Sequence, residues 1–98
     1  MAFEIKIRPE AEGDLKEAYS YFEQCRAGLG ADLILCVEDS LSKIARNPEQ
    51  YPIVYKAFHR TLVRRFPYGI FYEVREDAVI VFAIMHCARE PKKWRGRA

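Results

Sequence analysis

The sequence predicts an α+β fold of order β-α-α-β-β-β(-β), an antiparallel-rich sheet packed on an N-terminal α-hairpin. Three observations predict it. The first residues alternate apolar and polar positions with the period of a strand, two stretches then repeat apolar residues at helical spacing, and the second half holds apolar runs without that spacing. With 98 residues, 50% of them hydrophobic and 13% aromatic, the chain suffices for one packed core, and residues 1–98 read as a single domain.

The elements follow in order. Phe3 to Arg8 sets Phe3, Ile5 and Ile7 against Glu4, Lys6 and Arg8, the pattern of a half-buried strand that Pro9 ends. Pro9 also suits the first turn of a helix, and Glu10, Glu12 and Asp14 follow where a helix N-terminus favours negative charge. Ala11, Leu15, Ala18 and Phe22 then recur on one face, with Tyr19 beside them, so a first helix is expected from about Glu10 to about Arg26. Gly28 and Gly30 punctuate the chain. Ile34, Val37, Leu41 and Ile44, widened by Leu33 and Ala45, mark a second amphipathic helix. Asn47-Pro48 ends that helix, because the residue before proline is pushed out of the α region. The short link makes the pair an antiparallel hairpin. The remainder reads as strands at Val54 to Ala57, Arg60 to Phe66, Tyr68 to Arg75 and Ala78 to Cys87, with Glu76-Asp77 as a turn lacking the glycine of the best hairpin loops. The unbroken apolar run from Val79 to Met85 implies a strand covered on both faces, hence inside the sheet. Arg89 to Arg97, with Pro91 and the single Trp94, is compatible with either a short helix or an extended tail.

Charge divides the chain. Residues 1–55 hold 6 Lys and Arg against 10 acids, and residues 56–98 hold 10 against 4, so the halves carry 6 − 10 = −4 and 10 − 4 = +6, summing to the net +2. A basic half on a nearly neutral protein suits an anionic partner, whether nucleic acid, a nucleic-acid-handling protein or an acidic protein segment. No apolar run reaches the roughly 20 residues of a membrane helix. The charges within Met1 to Lys6 do not suit a signal peptide, so a cytoplasmic location is expected. Cys25, Cys36 and Cys87 are odd in number and widely spaced, which suggests reduced thiols and neither a disulfide framework nor a metal site. With no glycine-rich phosphate loop, metal-ligand spacing or nucleophile elbow, no cofactor is expected.

Several features in this order carry a resemblance: Asp14-Leu15 in the first helix, Asn47-Pro48 at the end of the second, Phe66-Pro67-Tyr68-Gly69-Ile70-Phe71-Tyr72 entering a strand, and His86 to Arg89 leaving the last one. Together they resemble the RelE/ParE toxin superfamily, nearer its ParE branch of plasmid-stabilisation toxins, over nearly the whole chain. The resemblance implies the toxin of a type II toxin–antitoxin pair, held in a hetero-oligomer by a cognate antitoxin. An antitoxin helix would lie in a groove beside the α-hairpin, for which Leu15, Tyr19, Phe22, Leu33 and Val37 are the candidate lining.

The two branches imply different mechanisms. The RelE branch cleaves mRNA on the ribosome, which requires activating a 2′-hydroxyl and stabilising charge on a phosphate. Alignment with such interferases puts Gly69 where many have arginine, Leu62 where lysine is expected and Trp94 near their C-terminal tyrosine. Indole is no general acid, and Gly and Leu cannot hold a phosphate. A substitute set of His59, His86, Arg60, Arg64 and Arg89 keeps the nuclease reading open. The ParE branch inhibits DNA gyrase by protein contact without chemistry. The candidate target contacts are then Arg64, Arg65, Arg89, Lys92, Lys93, Trp94 and Arg95, because Arg and Trp commonly anchor interfaces. A non-toxic member that keeps only the antitoxin-like partner is the third reading.

Overall fold

The computed structural model describes residues 2–98, and Met1 lies outside the described residues. Strand β1 (Glu4–Ile7) is followed by helices α1 (Pro9–Cys25) and α2 (Leu29–Arg46), a 3-10 turn at Pro48–Gln50, strands β2 (Ile53–Tyr55), β3 (Phe58–Leu62), β4 (Tyr68–Arg75) and β5 (Ala78–His86), and a short helix α3 (Pro91–Arg95). The sheet runs β1-β5-β4-β3-β2. The α-hairpin therefore carries the chain from one edge of the sheet to the other, and an antiparallel meander returns it to β1, which β5 meets in parallel.

The helices begin and end for local reasons. Pro9 opens α1 at N1, where its missing N–H would have had no partner, and Glu10 and Glu12 face the positive end of the helix dipole. The turn to α2 passes through Gly28 at φ 89, a left-handed conformation that glycine adopts without steric cost. Gly30 lies within the first turn of α2 and not in the link. A Cβ there would stand 2.8 Å from both the ring and the carbonyl oxygen of Tyr19, so glycine lets the two helices close. The Gly30 N–H donates to Glu23 Oε1 at 2.8 Å, which satisfies one of the free donors at the start of α2.

Two strands differ from their expected bounds. The chain turns at Lys56, φ 49, so the second strand ends at Tyr55 and the third starts at Phe58. The third strand stops at Leu62. Val63 N–H donates to the Tyr68 carbonyl at 2.8 Å, Tyr68 N–H donates to the Phe66 carbonyl at 2.8 Å, and Arg65 takes φ 74. Arg64 and Arg65 therefore sit in a turn and not in a strand. Glu76 adopts φ 55 in the β4–β5 turn without a glycine.

The sheet has two covered faces. The α-hairpin packs Ala11, Ala18, Leu33, Val37 and Ile44 against Ile70, Tyr72, Val79, Val81 and Ile84. On the other face Phe58, Phe71, Phe82, Ala83 and Met85 gather round Trp94 of α3. Register explains how β5 serves both: Phe71 pairs with Ala83 and Tyr72 with Val81, so Phe82 is an extra residue in a bulge. Phe82 and Ala83 consequently both join the Trp94 cluster, and the alternation resumes one residue later.

Tyr72 ties the sheet to the end of α2. It is fully buried, and its hydroxyl donates to the Pro48 carbonyl at 2.6 Å. Burial pushes this phenol up to about 12 from 10.0. The folded protein thus holds the proton more tightly than the unfolded chain, a contribution fully present below the unfolded pKa and lost as pH rises through the folded one. Tyr72→Phe is expected to flatten the loss of stability between about pH 10 and 12. At neutral pH it costs about 1–3 kcal/mol, because the Pro48 carbonyl is left unpaired. Urea midpoints across pH 8 to 12.5 check this, and equal alkaline slopes in the two proteins count against it.

Candidate functional site

The exposed candidate cations of the basic half fall in two segments. Arg64 and Arg65 are exposed on the β3–β4 turn, where Arg65 reaches Asp32 of α2 at 3.9 Å with both side chains well solvated. A pair this open contributes little to stability and leaves the guanidinium free to exchange partners. The second group is Arg89, Lys92, Lys93 and Arg95, all exposed on or just before α3.

Trp94 does not belong to that surface. It is 6% exposed and stacks on Phe71 with ring centroids 4.2 Å apart and planes 19° from parallel, with Tyr55 and Phe58 at 6.1 and 6.4 Å. Trp94 is buried, and not an exposed anchor, because a five-residue helix places its one large apolar side chain inward and the sheet offers an aromatic face to receive it. Arg95 lies over the rings of Tyr55 at 4.9 Å and Trp94 at 5.4 Å, closing the cluster from the solvent side.

A groove of about 390 Å³ runs between α1 and the open end of β5. Ala18, Phe22, Ile84 and Met85 contribute its apolar part, while Glu17, Tyr21, Tyr68, His86 and Arg89 bring polar groups. Tyr68 and His86 pair across β4 and β5 with rings edge-to-face at 5.4 Å. His86 Nδ1 accepts from the Ala88 N–H at 3.0 Å, so in the neutral ring the proton sits on Nε2. Burial raises the Tyr68 phenol and the Arg89 guanidinium opposes the rise, so the group stays protonated at neutral pH.

The substitute acid/base set is not assembled. His59 lies inside β3, 6% exposed and stacked on Tyr72 at 5.1 Å, and not in a loop. Its Nδ1 is 2.8 Å from the Tyr51 carbonyl; a carbonyl only accepts, so that nitrogen carries the proton. Arg60 rests its stem where Gly69 leaves room beside Phe71, on the face of the sheet opposite His86 and Tyr68. Only His86 and Arg89 of the five line one groove.

The five candidates for the antitoxin groove also separate. Leu33 is 0% exposed and Val37 1%, so both are core, because α2 turns that stripe toward the sheet. Leu15 and Tyr19 line a second groove with Glu12, Lys16, Ser20 and Ile34, on a different flank of α1 from the one Phe22 faces. Sequence reasoning missed Glu17, Tyr21 and Tyr68 as groove residues, although Tyr21 is 60% exposed and projects from α1 beside the apolar stripe. It also missed Asp14 as the partner of Arg97, 83 positions away, for which no sequence signal exists.

Among the described residues no group of three or more His, Cys, Asp or Glu is placed to hold a metal ion, and no helix is long and apolar enough to cross a membrane. The chain resembles Toxin ParE2 of Mycobacterium tuberculosis, at 24% identity over 92 residues that cover 93% of this chain and 88% of the relative. In fold it is similar to a chain of the chromosomal ParDE TA system from P. aeruginosa, with TM-score 0.77 at 12% identity over 87% of this chain and 96% of that one. It is also similar to a mutant of the E. coli toxin RelE in the free state, with TM-score 0.72 at 14% identity over 100% and 95%. Residues 5–91 match the family described as ParE toxin of type II toxin-antitoxin system, parDE, and this chain belongs to that family.

Proposed function

We propose that this protein arrests growth by binding DNA gyrase in the cytoplasm through the cations of its C-terminal segment, without chemistry of its own, and that a cognate antitoxin silences it. The observation that carries this reading is the array of Arg89, Lys92, Lys93 and Arg95, exposed to solvent around a helix that Trp94 anchors in the core. Cations on a rigid platform suit contact with an anionic surface, because less side-chain and backbone freedom is lost on binding. The dispersal of the acid/base candidates supports the same choice: His59 is sealed in the core and Arg60 faces away from His86.

The antitoxin reading rests on the family and on the two flanks of α1. Leu15 and Tyr19 on one side and Phe22 on the other offer apolar footholds at helical spacing. An acidic antitoxin segment reaching the +6 half would mask the target contacts as well.

One arrangement favours a second reading. His86 and Arg89 share a groove with the phenols of Tyr21 and Tyr68, groups of the kind a ribosome-dependent mRNA endoribonuclease uses. Induced expression in bacteria separates the readings when growth, DNA supercoiling, double-strand breaks and mRNA integrity are scored together. The expected result is arrest with DNA damage and intact message, abolished in Lys92→Glu/Lys93→Glu and retained in His86→Gln. Arrest with cleaved message that His86→Gln abolishes overturns the gyrase reading. No arrest at all points to a binder that has lost toxicity.

A further inference from the structure

The last helix is too short to hold itself. Five residues make little more than one turn, well below the length at which isolated helices persist in water. Trp94 supplies one anchor. The second lies beyond the helix, where the chain continues as a turn through Gly96 and Arg97.

Arg97 crosses to the α-hairpin side and grips Asp14 of α1 with both terminal nitrogens, Nη1 to Oδ2 at 2.6 Å and Nη2 to Oδ1 at 3.1 Å. The side chains are 24% and 14% exposed, so this is the most buried of the ion pairs among the described residues. A two-pronged contact of this kind fixes orientation as well as distance. Arg97 Nη1 also donates to the Phe82 carbonyl at 3.1 Å, while Asp14 Oδ2 accepts from the Ile84 N–H at 3.0 Å.

The backbone groups that receive these contacts explain why the pair sits there. β1 pairs with β5 only from Ala78 to Val81, so the edge of β5 is left open beyond that point. The bulge at Phe82 disturbs the ladder at the same place. Asp14 and Arg97 take the place of a neighbouring strand for one carbonyl and one N–H. The pair thus joins three parts of the molecule: α1, the open edge of β5 and the segment after α3. Its arginine lies past residue 91, where the family match ends.

We propose that the Asp14–Arg97 pair is a latch that fixes α3 on the sheet and so holds Lys92, Lys93 and Arg95 in the arrangement that meets the target. Asp14 and Arg97 are positioning residues in this account, which rests on the tail being the target contact. With the latch open, only the Trp94 stack and the Arg95 contact with Tyr55 hold α3, and the helix leaves the sheet part of the time. The three cations then sample many orientations, and ordering them again on binding weakens the complex.

The chain's single tryptophan is the reporter. Full-length wild type, Arg97→Met, Arg97→Lys and Asp14→Asn are compared by Trp94 emission and acrylamide quenching, by the far-UV thermal midpoint, and by the concentration that halves gyrase supercoiling. Arg97→Met is expected to red-shift and expose Trp94 while the sheet still melts cooperatively, and to require about tenfold more protein for inhibition, the equivalent of one or two lost charged contacts. Asp14→Asn should move both readouts the same way by less, and Arg97→Lys, which keeps the charge but loses the second prong, should fall between wild type and Arg97→Met. Unchanged Trp94 emission and quenching in Arg97→Met overturns the latch. The charge reversal Lys92→Glu/Lys93→Glu, run alongside, tells the two ideas apart. If the reversal abolishes inhibition while Arg97→Met inhibits normally, the latch is wrong and the tail contact stands. If both inhibit normally, the tail is not the target contact and the positioning role falls with it. Should Arg97→Met fail to fold, Asp14→Asn carries the same comparison, and normal Trp94 docking in it counts against the latch.

Discussion

Trp94→Ala is expected to lower the stability of this protein by about 3–5 kcal/mol, the range for deleting a large buried aromatic side chain. The indole is the largest member of the cluster on the second face of the sheet, and it touches residues of β2, β3 and β4 together with its own helix. Removing it leaves a void that these strands cannot close, since Phe71 and Phe58 are held by the ladder, Phe58 against Tyr55 and Phe71 between β3 and β5. For a domain of this size the thermal midpoint should fall by more than about 10 °C. Far-UV circular dichroism on heating reads the change, and a loss smaller than about 1 kcal/mol would show that Trp94 is not part of the core. The consequence reaches beyond stability. Deleting residues 89–98 to disarm the toxin removes Trp94 and Arg97 along with the exposed cations, so loss of toxicity after truncation reports on folding as much as on contact. Reversal of Lys92 and Lys93, which keeps Trp94 and the Arg95 that covers it in place, is the sharper experiment.

The second large effect separates two residues that look equivalent in the sequence. Leu33→Ala should destabilise the fold by about 2–5 kcal/mol. Its side chain is 0% exposed between α2 and the sheet, where a cavity has no access to solvent. Tyr19→Ala should cost about 1 kcal/mol or less, because the ring is 39% exposed and lies over Gly30, which has no side chain to lose contact with it. Binding should order the pair the other way. Once corrected for the fraction folded, Leu33→Ala should bind the antitoxin like wild type, whereas Tyr19→Ala should bind more weakly, since Tyr19 lines a groove that Leu33 never reaches. Denaturant unfolding combined with calorimetric titration measures both quantities. A Tyr19→Ala protein with unaltered antitoxin affinity would remove that flank of α1 from the proposed interface.

Much of this protein was legible in the order of its residues. Period-two alternation in Phe3 to Arg8, helical spacing in Ala11 to Phe22 and Leu33 to Ala45, and the apolar run into Met85 announce the strand, the hairpin and an interior strand. These are local signals, in which each side chain's environment follows from its neighbours three or four positions away. The family follows from the same kind of information, several short motifs in a fixed order. The asymmetry of charge is likewise a property of the sequence, whatever the fold.

What the tertiary structure decided concerns pairs of residues far apart in the chain. Trp94 reads as an interface anchor until the sheet is seen to present Phe58, Phe71 and Phe82 on the face that the α-hairpin leaves open. His59 falls between two expected strands until β3 starts at Phe58 and stacks it on Tyr72. Leu33 and Tyr19 share apolar character and helical spacing, yet only packing between α1 and α2 sends one inward and leaves the other at the rim of a groove. Asp14 and Arg97 meet because β1 stops short of the bulge in β5, an outcome of register across three strands that no local pattern encodes. Secondary structure here follows from nearest-neighbour periodicity, whereas the choice between core and surface for each aromatic and charged side chain was made by which sheet face and which open edge it met.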